Sequence, residues 1–396
     1  TIRFGAGPAK MRLQTFCEDT FEFRVLVDPI ATFNFQPLPV QPMIALVPGR
    51  PERFVAVLPT LRRVGEPFAL RLKGEDRWGN PSDRCDMTFE LRATGAIEGL
   101  PERITLKPGE RAFTVDGLVA SAPGDLLVEL VDAGGSVVAQ SNPLRIVADS
   151  PFLHFWGDLH GQSEETIGTN SAEAYFAFAR DLAFVDACAH QGNDFQITDA
   201  FWQELNRITE RFDAPGSYVA LPGYEWSGNT ALGGDRNVFF PEAGRTIRRS
   251  SHALIDDDGD RSTDCATAGD LFEAFAANAE WDTVCFAHCG GRYADIRIAH
   301  DGRFERSVEV HSAWGTFEWL LHDAFELGHR VGVVANSDGH KGRPGASYPG
   351  AGKFGAVGGL TCYLMPELSR ETLLDCLRKR RHYGTTGGPA GRLVID

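Results

Sequence analysis

Residues 155–163 read Phe155-Trp156-Gly157-Asp158-Leu159-His160-Gly161-Gln162-Ser163, "FWGDLHGQS". A β-strand alternates its faces, so Asp158, His160 and Gln162, at spacing two, point the same way, toward a core or toward a site. The same pattern recurs along the chain, an apolar run closed by a polar, chemically capable residue. "FVDACA" ends at His190, "YVALPGY" leads to Glu225, "TVCFA" to His288, "SVEV" to His311, and "VGVVANS" to Asp338 and His340. With 11 His in 396 residues, roughly one position in 36 is His, and five of six runs closing on one is not a chance expectation.

The runs alternate with helical segments. Ser171 opens "SAEAYFAFARDLA" as an N-cap, and "DLFEAFAANA" and "TFEWLLHDAFELGH" each precede another apolar run. Strand and helix in alternation predict a parallel α/β sheet over residues 151–396, either a barrel or an open doubly wound sheet. Ligands of such folds bind at the carboxyl ends of the strands, so the closing residues should meet on one rim. His, Asp and Glu together form a ligand set for zinc, manganese or iron.

Upstream the texture differs. From Val47 to Val147, short alternating runs such as "PFALRLKGED", "MTFELRA" and "LLVELVDAGG" are punctuated by Gly, Pro and Asp, and the segment holds no His. It reads as an antiparallel, immunoglobulin-like β-sandwich, making residues 1–150 an N-terminal domain with an extended leader. "EDRWGNPSD" (Glu75 to Asp83) resembles a turn of immunoglobulin-like repeats in bacterial surface proteins. A length of 396 residues with 43% hydrophobic content is ample for two domains.

The 39 basic and 54 acidic residues leave a net charge of −15, which argues against nucleic acid or an anionic membrane as partner. An anionic small-molecule substrate would need a local positive site such as a bound cation. The oligomeric state is not written in the sequence. No apolar stretch approaches a membrane span, and Thr1 to Lys10 lacks signal-peptide character. The eight cysteines form no CxxC pair, and Cys188, Cys285 and Cys362 lie in apolar runs, as buried thiols of a reducing, cytoplasmic compartment would. The acidic "DDDGD" (Asp256 to Asp260) lacks calcium-loop spacing and reads as a solvated loop.

The motifs "GDLHGQS", "CAHQGND", "PGYEWS", "FAHCGG" and "NSDGH", in that order, resemble those of the polymerase-and-histidinol-phosphatase (PHP) superfamily of metal-dependent phosphoesterases. Within it the likeness is to the group of uncharacterised proteins known as DUF3604. It extends from about His154 to Gly388, including "RKRRHYGTTGG". The resemblance implies a distorted (β/α)7 barrel. It puts the opening HxH on His160 and Gln162, the second motif on His190, the bridging carboxylate on Glu225, the AH motif on His288 and the closing DxH on Asp338 and His340. The chain departs from the pattern in three places. Gln162 replaces a His. A following His has no equivalent, with Glu164 or Glu165 nearest. The His expected after the bridging carboxylate is missing, with Arg236 near its place. One to three divalent cations are implied, manganese, zinc or iron, and the departures favour one or two.

The function this predicts is a metal-dependent hydrolase, a phosphoesterase using metal-activated water. Arg292, Lys341 and Arg343 are candidates to steady the anion, and His311 or His252 to protonate the leaving oxygen. Asp158 should orient His160 or its turn. Tyr224, Trp226, Tyr293 and Trp314 flank the motifs and could wall a pocket. The alternatives are hydrolysis of an amide or lactone by the same water, or a non-catalytic binding module stapled by metal.

Overall fold

The computed structural model describes residues 3, 5–8, 10–255, 261–346, 356–387 and 391–395. The acidic stretch Asp256–Asp260 and Gly388 lie outside the described residues. The chain is a mixed α/β protein, richer in strands than in helices.

Residues 53–147 build three small sheets. Phe113–Leu118, Phe68–Glu75 and Arg53–Val57 pair antiparallel, as do Val137–Gln140, Val128–Val131, Met87–Ala93 and Arg103–Leu106. In the third sheet, Leu144–Val147 lies antiparallel to Gly124–Leu126 and parallel to Leu61–Arg63. The alternation read in the sequence sets their inner faces: Phe68, Leu70 and Leu72 are buried with Phe89, Leu118, Val128 and Leu130 in one core. At the end of Phe68–Glu75 the alternation stops, and Lys73 and Glu75 are buried too. Lys73 Nζ reaches across to the Leu182 carbonyl (2.6 Å) and to Glu75 (2.9 Å).

The later strands form two sheets. One runs in the order Val219–Leu221, Ala187–Ala189, Leu153–Asp158, Leu360–Met365, His382–Thr385, with the first three parallel and the last two antiparallel. The other runs Gly223–Trp226, Arg236–Phe239, Val284–Ala287, Glu305–Ser312, Gly315–Thr316, with Gly332–Ala335 beside Glu305–Ser312. A wholly parallel sheet was expected, but Arg236–Phe239 is antiparallel to both its neighbours. The connection from Trp226 to Arg236 carries a short 3-10 turn and no α-helix, too little for a parallel crossover. The sheets touch through two isolated bridges, Asn193 with Glu225 and Gly161 with Gly339.

Ser171 caps Ala172–Asp181 as the sequence suggested, its side chain accepting from the Ala174 N–H. Thr198, Thr267 and Ser369 cap three of the other helices in the same way. These helices cover the sheets with Phe176, Trp202, Leu205, Phe272 and Leu373. All eight cysteines are free thiols, and Cys188, Cys285 and Cys362 are buried. No helix among the described residues is long and apolar enough to cross a membrane.

The "EDRWGNPSD" turn is a junction. The Asp76 carboxylate accepts from the N–H groups of Gly49, Trp78 and Asn80 and fixes the turn. Arg343 then donates to Gly79 O (2.5 Å) and Asn80 Oδ1 (3.3 Å). Trp156 Nε1 donates to Thr60 Oγ1 nearby in the same seam, at 2.5 Å.

Candidate metal centre

Leu153–Asp158 is buried along its whole length, and its end sets the first candidate ligand. The Asp158 carboxylate accepts from Ser337 N (2.9 Å), Gly345 N (2.6 Å) and His160 N (3.3 Å), tying the turn after this strand to the loop after Gly332–Ala335. Gln162 N donates to Gly339 O at 2.8 Å, closing the seam. Asp338 sits in this loop in the left-handed region, φ 46°, which a short polar side chain tolerates better than most.

His160 is fully buried between carboxylates. Its Nδ1 lies 3.1 Å from both Glu309 oxygens, and its Nε2 lies 3.4 Å from Glu225 Oε2 and 3.3 Å from Asp338 Oδ1. Glu309 is held in turn by Asn336 Nδ2 (2.7 Å), whose Oδ1 accepts from Leu159 N (2.9 Å). A carboxylate on one ring nitrogen fixes the tautomer and turns the other nitrogen toward the cluster. Glu309→Gln should therefore weaken cation affinity or turnover about 10- to 100-fold while leaving His160, Glu225, Asp235, His288 and Asp338 in place. Titration with metal and initial rates at saturating metal would read it, and wild-type values would refute the orienting role.

Glu225 is the centre of the arrangement. Asn193 Nδ2 and Ser227 Oγ each donate to its Oε1 at 2.9 Å, and Gln162 Nε2 to its Oε2 at 3.4 Å. His288 Nε2 is 3.7 Å from Oε1, and the His288 ring meets that of His160 edge-on at 4.4 Å. Three sets have ligand-type atoms within 4.8 Å of one another: His160 with His288 and Glu309, His160 with Glu225 and Asp338, and Glu225 with Asp235 and His288. Glu225 belongs to two of the three, as a shared carboxylate would.

The electrostatics are those of surplus negative charge in a dry place. Burial opposes charge on His160, but Asp338 and Glu309 overcome it and hold its pKa well above the usual value. Burial, with Glu225 and Glu309 adding, pushes the Asp338 carboxyl well up. Burial and the neighbouring His160 pull His288 down to about 4, so its ring is neutral at pH 7. Both His288 nitrogens, Asp338 Oδ2 and Asp235 Oδ1 are buried with no hydrogen-bond partner among the described residues. Buried polar atoms are ordinarily paired. Unpaired atoms of ligand type on three neighbouring residues fit a divalent cation.

The other candidate residues are placed elsewhere or at the margin. His190 is outside the three sets: Ser163 N (3.1 Å) and Ser163 Oγ (2.7 Å) meet its Nε2, and Gly192 N its Nδ1 (3.3 Å). His340 donates from Nδ1 to the Asp338 carbonyl at 3.1 Å, which puts its lone pair on Nε2. His311 faces Thr316 Oγ1 and Val357 O, both at 2.8 Å, rather than the cluster. One extra residue in Glu305–Ser312 relative to Gly332–Ala335, between Glu309 and His311, breaks the alternation, and it is Glu309 that points in. Arg292 spans Asp235 by its N–H (3.0 Å) and Phe195 by its guanidinium (4.3 Å). Lys341 lies over the Phe16 ring at 5.3 Å, and Arg343 serves the junction at Gly79 and Asn80 instead of an anion site. His252 is paired with Asp264 (3.1 Å). Tyr224 and Trp226 are core residues and wall no pocket, because their strand is buried on both faces.

Asp235 and Glu309 are what the motif reading passed over. Asp235 stands one residue before Arg236, whose buried guanidinium pairs with Glu305 and with the carbonyls of Gly233 and Ala299.

Imidazoles and carboxylates gathered in a buried space at the strand ends of a mixed α/β chain define a candidate divalent-cation centre. Residues 133–291 match the family described as protein of unknown function (DUF3604), in line with the likeness carried by the motifs. The chain is 23% identical over 421 residues to an uncharacterised protein of Chlamydia pneumoniae, covering 98% of this chain and 65% of that one. It is 21% identical over 407 residues to an uncharacterised protein of Chlamydia muridarum, covering 94% of this chain and 62% of the relative. It thus spans just under two thirds of the length of these relatives. A solved two-domain protein from Bacteroides vulgatus, containing a predicted PHP-like metal-dependent phosphoesterase, is similar at TM-score 0.40 and 13% identity, over 60% of this chain and 66% of that one.

Proposed function

We propose that the chain is a divalent-cation-dependent hydrolase, most simply a phosphoesterase acting on a small anionic substrate. The observation that carries this is the convergence of the buried residues His160, Glu225, Asp235, His288 and Asp338, with unpaired atoms on three of them. His160, Glu225 and Asp338 would hold one cation and Glu225, Asp235 and His288 a second, manganese, zinc or iron by the donor set. Bound there, the cations would lower the pKa of water toward about 7 and offset charge on a phosphoryl group.

The chain's own residues supply the frame. Asn193 and Ser227 hold Glu225 between the two sets, Glu309 keeps the proton on His160 Nδ1, and Asp158 clamps the loop bearing Asp338. Gln162 points its amide nitrogen at Glu225, so only its oxygen could serve a cation, and Thr166 Oγ1 already donates to that oxygen. With His190 engaged by Ser163, two cations fit the centre better than three. The two sheets read as parts of a distorted (β/α)7 barrel over 151–396, met by a sandwich domain over 1–150, and the eight free cysteines support a reducing, cytoplasmic setting.

One observation favours the carbonyl alternative: Arg343, the cation nearest in sequence to the closing motif after Lys341, is spent on the junction. Elemental analysis followed by matched panels of phosphate esters, amides and lactones decides. Phosphate release that disappears on chelation and returns with the metal is expected. Cleavage of lactones or amides alone would replace the phosphoester reading, and purified protein that takes up no divalent cation would overturn both.

A further inference from the structure

Residues 18–46 form one long hairpin arm. Glu18–Glu22 pairs with Met43–Leu46, and Leu26–Val27 with Gln36–Pro37, in continuous antiparallel order. Between them the Phe23 N–H donates to Pro42 O, Leu38 N–H to Val25 O, and the Gln41 side chain ties both polar groups of Val25. The base of the arm is moored near the centre, Thr20 Oγ1 to Glu164 at 3.3 Å and Asp19 N to Asn170 Oδ1 at 3.5 Å.

The outer part is built to stand exposed. The Asp28 carboxylate accepts from Ile30 N (3.3 Å), Thr32 Oγ1 (3.2 Å) and Phe33 N (2.5 Å). Ala31 and Phe33 sit at φ 53° and 62°, a region that bulky residues rarely adopt. The result presents Ile30 and Phe33 outward, and these two with Phe35, Val40, Met43 and Val47 are 56–88% exposed. Taking about 200 Å² for a fully exposed large apolar side chain, the six offer on the order of 800 Å². A stable interface takes about 800 Å² per partner, an area that the exposed side chains of this one arm can supply.

We propose that this arm is the interface of a symmetric dimer of the chain. A net charge of −15 makes two copies repel wherever their ordinary surfaces meet, yet from Val25 to Gly49 the only ionisable residue is Asp28, so this is the stretch on which like can meet like. Prolines at 29, 37, 39, 42 and 48 deny the arm a continuous strand edge, so the contact is side-chain packing that closes on itself rather than open-ended sheet addition. Ile30 and Phe33, preorganised by Asp28, are its anchors.

Sedimentation of the full chain should give the mass of two copies. The double variant Ile30→Asp, Phe33→Asp should raise the dissociation constant about a hundredfold or more, with unchanged circular dichroism and melting. Val40→Glu alone, should the double variant misfold, is expected to weaken the dimer about tenfold. A wild-type chain that sediments as a monomer at its highest soluble concentration would give the arm to some other partner and overturn the proposal. So would well-folded variants that dimerise as tightly as the wild type.

Discussion

Glu225→Gln is expected to leave the purified protein without cation at either set and to cut hydrolysis on the order of a thousandfold, since the lost charge stabilisation is several kcal/mol. The substitution keeps the shape that Asn193 and Ser227 hold. It removes one negative charge from a space that also contains Asp235, Glu309 and Asp338, all buried. Although burial opposes that charge, His288 and the hydrogen bond from His160 pull the Glu225 pKa down to about 2, so its loss should make the chelated variant melt below chelated wild type. With cation present the gap widens, because only wild type gains binding energy, about 4 kcal/mol when free cation exceeds the dissociation constant a thousandfold. Elemental analysis and paired melting curves test both differences. Wild-type metal content in the variant would remove Glu225 from the ligand set.

The largest effect on stability is expected at Lys73, far from the centre. Its ammonium is 1% exposed, Glu75 beside it is 0%, and burial pulls the Lys73 pKa down while Glu75 holds it up. Lys73→Met would take the buried ammonium from Glu75, whose pairing with Arg53 is to a side chain 47% exposed, and would remove the donor that Lys73 gives the Leu182 carbonyl. Breaking a buried pair from one side costs about 3–5 kcal/mol, whereas replacing both partners by neutral side chains is often tolerated. The double variant Lys73→Met, Glu75→Gln should then recover most of the loss in denaturant midpoint. A single variant as stable as wild type would show that the pair contributes nothing to joining the early and late parts of the chain.

Much of the centre was legible because four of the five candidate ligands close apolar runs. His160, Glu225, His288 and Asp338 all lie at strand ends, where alternation and the rule for α/β folds both apply. What failed did so where those rules lapse. Regular alternation would put Glu309 and His311 on one face; the bulge between them turns His311 away, and no pattern in "SVEVHS" marks an extra residue. Asp235 begins an antiparallel strand, the direction that a reading in βαβ units does not anticipate. His190 was found as a strand-end residue, but its partner Ser163 lies 27 positions away, and a contact of that kind leaves no spacing to read. Arg343 looked like an anion ligand by proximity in sequence, and only the packed turn at Gly79 and Asn80 shows what it serves.

That last contact bears on heredity. Arg343 follows Asp338 by five residues, on the stretch that also carries His340, and what steadies it is a carbonyl and an amide near position 80. A gene fusion that exchanged the first 150 codons for an unrelated module would strip this stretch of one of its moorings, leaving the Asp158 clamp at Ser337 and Gly345. A replacement module would then have to offer Arg343 a new acceptor, so substitutions at Asn80 and at Arg343 are expected to be coupled.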